Sequence, residues 1–270
     1  MSLFLFYKLS FIVAGLSGGA LSVIGKHFLS RGNILEIFFL SQIAIIGNLL
    51  SRLIIQHGET SIVGIIFSYS LFALGKYFLY RLKLANHEKG TFMVGGYLFL
   101  LSLQYLTIGY FPQLDSHMSI GFFGNMVTAS KNENYGTILI FVFFIFIYFL
   151  NRKAINKRTI EINILSAKER SRFDLILFTL PLISALNGLG FLYTMSFLLL
   201  PSLLVGKLFR SEKRASFFII LISTFSSVTG LIISIAFERL STSSLQIVLL
   251  FMMLLISNIG VKFKTLLIRN

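Results

Sequence analysis

The feature that most constrains the fold is a run of 32 residues without a formal charge, 175–206, bounded by Asp174 and Lys207. As one α-helix the run would be about 48 Å long, whereas the hydrocarbon core of a bilayer is roughly 30 Å thick. One straight crossing leaves too many residues, and two full crossings leave too few. The chain therefore either enters and returns as a hairpin or forms one long, kinked helix.

The distribution of basic residues favours the hairpin. Lysine and arginine collect in the cytoplasmic loops of membrane proteins. With the N-terminus outside and a hairpin at 175–206, 20 of the 24 basic residues lie on the inner side and the C-terminus is cytoplasmic. With a single crossing, the split falls to 14 against 10.

The residues in the middle of the run also favour a turn. Asn187, Gly188 and Gly190 can interrupt a helix, and Pro201 lies on the returning arm. Irregular backbone cannot face lipid, so we expect this turn to be buried in protein or to line a cavity. Two half-helices are predicted, over 174–187 and 189–206.

The composition places the remainder of the chain in a membrane. Hydrophobic residues make up 56% of the chain and the mean hydropathy is +0.85, which is typical of a polytopic helical protein. The net charge of +14 comes from residues between apolar runs, so we predict a lipid bilayer and no nucleic acid as partner. The expected fold is an all-α membrane bundle of about 8–9 helices in one domain, 1–270. The other candidate spans are 9–25, 33–51, 60–79, 90–112, 134–151, 215–237 and 244–261.

Signatures of enzymes are missing from the sequence. It contains no GxxxxGK[ST], HExxH or GxSxG pattern, and it has no cysteine to serve as a nucleophile or thiolate ligand. We therefore predict a protein that is not an enzyme and has no covalently bound cofactor. Gly15, Gly18 and Gly19 in the first span form a small-residue pattern suited to close helix packing.

A stripe of polar and small residues runs along the second span. Asn33, Glu36, Ser41 and Asn48 recur along it, and Glu36 is costly at membrane depth unless it faces a bundle interior or a cavity. One interpretation is a helix that lines a translocation path. The other is that Asn33 and Glu36 lie at the cytoplasmic interface, where water reaches them.

The longest inner segment, 152–173, combines many charges with a few aliphatic residues. A short amphipathic helix there would either dock a cytoplasmic partner or lie on anionic lipid. Its aliphatic residues are Ile160, Ile162, Ile164 and Leu165.

Three stretches resemble one known family, the permease subunits of zinc/manganese-type metal-ion ABC importers. The sequence LGFLYTMSFLLLPSLLVGKLFRSEKRASFF, 189–218, resembles the family pattern of a glycine, an aliphatic run, a proline and a basic cluster, which Gly190 and Pro201 match. GFFGN at 121–125 is similar to the family's Phe-Gly-Asp. The residues 30–33, SRGN, resemble the loop that opens the family's second span.

The resemblance implies an assembly. It predicts a homodimer or pseudo-dimer of permeases, a cytoplasmic ABC ATPase subunit that uses ATP, and an extracytoplasmic substrate-binding protein, all at the bacterial inner membrane. It also implies that the hairpin borders the translocation path and that 152–173 holds the segment that couples to the ATPase. The implied cargo is a divalent metal ion, zinc, manganese or iron.

The sequence departs from the family at the expected metal ligands. The family's second span carries Gly-Asp-x-x-x-His, and a gapless alignment places Asn33 at the aspartate and Ile37 at the histidine. Isoleucine cannot ligate a metal, and an asparagine oxygen is a weak neutral ligand. Two alternatives to an active permease therefore stay open: an ion-coupled secondary transporter and a degenerate paralogue that assembles with an active permease.

Overall fold

Two short helices and a glycine turn replace the 32-residue apolar run. The computed structural model describes residues 7–54, 61–82, 86–124, 126–127, 129–165, 172–205, 211–237 and 241–267. Within these ranges the chain forms ten α-helices and no strand, one helix more than the upper end of the sequence estimate. They are α1 (Lys8–Ser30), α2 (Ile34–Ile54), α3 (Ser61–Arg81), α4 (Asn86–Tyr110), α5 (Asp115–Phe123), α6 (Lys131–Leu165), α7 (Arg172–Gly188), α8 (Phe191–Val205), α9 (Glu212–Ala236) and α10 (Thr242–Leu267).

Seven of these helices are long and apolar enough to cross a bilayer, namely α1 to α4, α6, α9 and α10. The arms α7 and α8 have 17 and 15 residues, so they extend only about 25 Å and 22 Å. The additional short helix, α5, follows a single turn of 3₁₀-helix, Pro112–Leu114, and has no counterpart among the predicted spans.

Ion pairs between helix ends establish which ends lie together. Arg31, which follows α1, pairs with Asp174 in the first turn of α7, and Lys26 near the end of α1 pairs with Glu212 at the start of α9. Glu36 at the start of α2 pairs with Lys89 at the start of α4. We call this end of the bundle the basic face.

The hairpin enters and leaves at the basic face. Asp174, in the first turn of α7, lies there. The second arm, α8, runs parallel to α1 back to the same end, because Tyr193 contacts Ser17 and Ser202 contacts the carbonyl of Ser22. The predicted hairpin is therefore confirmed, and the single kinked helix is excluded. The first arm, α7, continues one residue further than predicted, through Gly188, and the break between the arms falls at Leu189 and Gly190.

The arm α8 lies in the interior of the bundle. It packs against α1, α9, α10 and α5, while α7 packs against α6, α3 and α2. Small residues permit these helices to approach closely. Close van der Waals packing is what holds helices together in lipid, where the hydrophobic effect does not drive their association. Gly18 and Gly19 lie against Ser223 and Thr224 of α9, so the predicted packing role of the first-span glycines is confirmed.

The inner segment 152–173 differs from the short separate helix considered from the sequence. Residues 152–165 continue α6 without interruption, and Arg172 and Phe173 already belong to α7. The spanning helix is longer than its apolar run because backbone hydrogen bonding continues past the first charges. Residues 166–171 lie outside the described residues.

Candidate functional site: a buried hairpin fixed at the basic face

The tip of the hairpin lies inside the bundle, at the end remote from the basic face. Gly190 has a φ of +86°, a conformation that costs a residue with a side chain about 1–2 kcal/mol. Its backbone lies directly against that of Gly124, which follows α5 and has a φ of +83°. Two amides, those of Leu189 and Gly190, donate to the carbonyl oxygen of Ala185 at 2.7 and 3.1 Å and so end α7. The predicted burial of the turn in protein therefore holds.

Asn187 is the polar side chain next to the tip. Its Oδ1 accepts a hydrogen bond from the Oγ of Ser68 on α3 at 3.3 Å, and its Nδ2 is buried with no partner among the described residues. Gly188 lies beside Thr137 near the start of α6. Neither residue has been tested as a path residue, and that role stays a prediction.

The polar residues of the stripe on α2 lie in different surroundings along the helix. Ser41 is fully buried in mid-helix, and its Oγ has no hydrogen-bond partner within the described part of the chain. Asn48, half-buried, faces Gly64 on α3, one turn before Ser68. The structure thus brings Asn48 and Asn187 to the same region of α3, whereas Asn33 and Glu36 lie at the basic face.

Glu36 is held by two lysines that sequence reasoning did not connect to it. Its Oε1 lies 2.6 Å from Nζ of Lys76 at the end of α3, and its Oε2 lies 3.3 Å from Nζ of Lys89. The carboxylate is buried and its charge is neutralised by two cations. It is therefore an anchor between three helices, and its place in the first turn of α2 also suits the positive end of the helix dipole.

Asn33 and Ile37, which the gapless alignment assigns to the family's metal-ligand positions, lie in different surroundings. The amide of Gly32 donates to Leu29 and that of Asn33 to Phe28, both at 3.1 Å, and Gly32 has a φ of +73°. This is the Schellman arrangement that ends a helix at a glycine. Ile37 is buried in the apolar core, and no group of three His, Asp or Glu side chains that could hold a metal occurs among the described residues.

A buried ionic junction fixes the start of the hairpin. Nη2 of Arg31 lies 2.8 Å from Oδ2 of Asp174, and both side chains have no exposed surface. Nη1 of Arg158 on α6 lies 2.9 Å from Oδ1 of the same carboxylate. Arg31 also donates to Oγ1 of Thr159 at 3.1 and 3.2 Å and lies over the ring of Phe178. The junction therefore joins α1, α6 and α7.

The junction includes the buried imidazole of His27. Its Nδ1 lies 3.0 Å from Oγ1 of Thr159, its Nε2 lies 3.1 Å from the hydroxyl of Tyr148, and its ring stacks on Phe178. The only sequence signal for this cluster was the position of Asp174 as the acid that bounds the long apolar run. The two partners of Asp174 are distant from it: Arg31 lies 143 residues earlier in the sequence, and Arg158 belongs to a different helix.

The second arm is fixed by a chain of neutral hydrogen bonds that sequence reasoning also missed. The hydroxyl of Tyr193 lies 2.8 Å from Oγ of Ser17 and 2.8 Å from Oγ of Ser227. Gln246 on α10 then donates to the carbonyl of Ser227 at 2.8 Å. Pro201 is buried near the end of α8, on the returning arm as predicted. These bonds join α8 to α1, α9 and α10.

The predicted coupling residues lie on the end of α6 that extends past the basic face. Ile160 is 51% exposed and Ile162 is half-buried, while the side chains of Ile164 and Leu165 lie outside the described residues. Ile155 and Thr159 are buried against the neighbouring helices. The end of α6 thus presents an exposed isoleucine beside the junction that fixes the hairpin, and its coupling role stays a prediction.

Comparison with known proteins identifies the family. The family model described as the ABC 3 transport family matches residues 96–261, more than half of the chain. A search of curated protein sequences finds no match. The solved structure of PsaBC from Streptococcus pneumoniae in complex with Fab shares the fold at 18% sequence identity, with a TM-score of 0.77 over 96% of this chain and 95% of that chain. The chain therefore belongs to the ABC 3 transport family, the permease subunits of metal-ion ABC transporters.

Proposed function

We propose that this chain is the membrane-spanning subunit of an ABC importer that moves a divalent metal ion, zinc, manganese or iron, across the bacterial inner membrane. Two copies, or this chain and a related permease, would form the channel. A cytoplasmic ABC ATPase would supply the energy and an extracytoplasmic binding protein would deliver the ion. The support for this cargo class is family membership. The geometry of the described residues adds nothing to it, because they contain no group of three His, Asp or Glu side chains that could hold a metal.

The observation that carries the proposal is the fixation of the hairpin at the basic face. Both of its ends and the exposed end of α6 lie there, and the Asp174 carboxylate joins α7 to α6 through Arg158. A subunit that pushes on the end of α6 would therefore move the buried hairpin with it. The positive-inside rule supports a cytoplasmic position for this face, with the N-terminus outside and the C-terminus inside.

The experiment that tests the proposal is reconstitution of the complete transporter. The chain is co-expressed with the ATPase and the binding protein encoded nearest to its gene, purified and placed in liposomes. We expect co-purification, ATP hydrolysis that rises when metal-loaded binding protein is added, and uptake of zinc, manganese or iron. Absence of both co-purification and stimulated hydrolysis would contradict the proposal. A complex that assembles without transporting any ion would favour the degenerate paralogue.

The coupling role of α6 is tested in the same system. Ile160→Asp places a charge on the exposed isoleucine, and Lys153→Ala changes another exposed residue of the same helix as a control. We expect the aspartate variant to lose ATPase co-purification while the alanine variant retains it. Equal retention by the two variants would place the ATPase contact elsewhere on the basic face.

A further inference from the structure

Two lysines lie above an apolar pocket between α2 and α4. Lys76 and Lys89 meet at the carboxylate of Glu36, at 2.6 and 3.3 Å, at the basic face. On α4 the pocket begins at Met93, one helical turn after Lys89, and its volume is about 230 Å³. It is lined by Leu35, Phe38, Met93, Val94 and Tyr97.

The lysine pair and the pocket form one continuous surface. On α4, Lys89, Met93 and Tyr97 are spaced four residues apart and therefore lie on one side of the helix. On α2, Leu35 lies against Gly90, the residue that follows Lys89 on α4. Leu35 and Val94 are about half exposed, so the pocket opens at the surface of the chain.

The charge above the pocket is positive. Two ammonium groups share one carboxylate, which leaves a net charge of about +1. The side chains of Lys76 and Lys89 are 25% and 37% exposed, so this charge is accessible at the basic face. Glu88 is exposed next to Lys89 and is not among the residues that line the pocket.

We propose that this surface binds one anionic phospholipid, with its phosphate at Lys89 and Lys76 and an acyl chain in the pocket between α2 and α4. Basic residues at the end of membrane helices attract anionic headgroups, with a contribution of about 1 kcal/mol for each lysine or arginine. A soluble phosphate would use the lysines but not the apolar pocket. The proposal depends on the membrane position of the helices and not on the identity of the transported ion.

The headgroup part is tested by native mass spectrometry of the purified full chain with phosphatidylglycerol or phosphatidylcholine. Lys89→Gln removes one ammonium, and Lys213→Gln removes an exposed lysine of α9 at the same face as the matched control. We expect the wild type and the control to retain phosphatidylglycerol in preference to phosphatidylcholine. The Lys89 variant should bind phosphatidylglycerol roughly fivefold more weakly. Lys89→Arg, which keeps the charge, should restore binding.

The pocket part is tested without changing any charge. Val94→Trp fills the pocket, and Leu106→Trp adds the same side chain to an exposed position further along α4. We expect only the Val94 variant to lose phosphatidylglycerol. Equal retention of the two lipids by the wild type, or unchanged phosphatidylglycerol binding in both test variants, would overturn the proposal.

A protein partner at this surface would also overturn the proposal. Because the chain has no cysteine, a single Val94→Cys substitution reports contacts without background. Disulfide formation between two copies in membranes would mean that a second protein chain covers the pocket. Labelling of this cysteine by a lipid-soluble maleimide without dimer formation would support the lipid site.

Discussion

Replacing Asp174 with alanine removes the carboxylate that joins α1, α6 and α7. The carboxylate binds Arg31 at 2.8 Å and Arg158 at 2.9 Å, and its own side chain has no exposed surface. Arg31 is equally buried, so the substitution leaves a buried cation without its counter-ion. Arg158 is about one third exposed and can turn to water, so its loss adds little.

The expected cost follows from the burial of Arg31. Breaking a buried ion pair by removing one partner typically costs about 3–5 kcal/mol, because the remaining charge is not solvated. The matched control is Glu161→Ala on α6. It removes an exposed ion pair within that helix, in which Oε1 of Glu161 lies 3.9 Å from Nζ of Lys157. Such a pair on a helix surface contributes about 0.3–0.5 kcal/mol.

The assay is the free energy of unfolding in mixed micelles as the mole fraction of sodium dodecyl sulfate is raised. Far-UV circular dichroism is the appropriate signal, since the chain contains no tryptophan. A cost of less than about 1 kcal/mol for Asp174→Ala, similar to that of the control, would refute the reasoning because it would mean that water reaches Arg31.

A double variant separates charge from packing. Arg31→Met with Asp174→Leu replaces the buried pair by apolar side chains, an exchange that is often neutral or stabilising. We expect it to recover most of the stability that Asp174→Ala loses. Thr159 keeps its hydrogen bond to the carbonyl of Ile155 at 2.9 Å, so the exchange does not leave its hydroxyl without a partner. A double variant as unstable as Asp174→Ala would show that the cost arises from shape and not from charge.

Three further predictions concern the hairpin and α2. Gly190→Ala should destabilise the fold by more than about 2 kcal/mol in the same unfolding assay, because Gly190 has a positive φ and its backbone touches Gly124. Its control, Gly109→Ala, should cost nothing, because Gly109 has open space around it. Tyr193→Phe should cost about 1–2 kcal/mol, since it removes two buried hydrogen bonds in the membrane interior. Glu36→Gln should leave uptake dependent on ATP in the reconstituted complex, and loss of a gradient-driven uptake that needs no ATPase would instead favour a secondary transporter.

The hairpin was predictable because it depends on length and charge alone. Residues 175–206 are too long for one crossing, and only an in-and-out path keeps the basic residues on one side. Helix ends were less predictable, as α6 illustrates. Its apolar run stops at 151, but its helix continues to Leu165 because charged residues are compatible with a helix outside the hydrocarbon.

The contacts of the charged residues could not be read from the sequence. Glu36 was recognised as unusual, yet Lys76 and Lys89 reach it only because α3 ends and α4 begins beside the start of α2. Asp174 was visible as the boundary of an apolar run, while its pairing with Arg31 requires the return of α7 to the end of α1. Partner identity is a property of helix packing, and packing depends on distant residues.

The two ends of the hairpin are held by different physical means, and the difference has a mechanical consequence. At the basic face the first arm, α7, is joined to its neighbours through charged groups, Asp174 with Arg31 and Arg158. At the tip, the closest contact is that of the Gly190 backbone against Gly124, beside one neutral hydrogen bond from Ser68 to Asn187. Backbone van der Waals contacts are individually small and depend steeply on distance, whereas the buried ion pair cannot separate without exposing its charges to a low dielectric. We therefore expect a force applied at the basic face to reach α7 with the junction intact, and the hairpin to separate first at its tip.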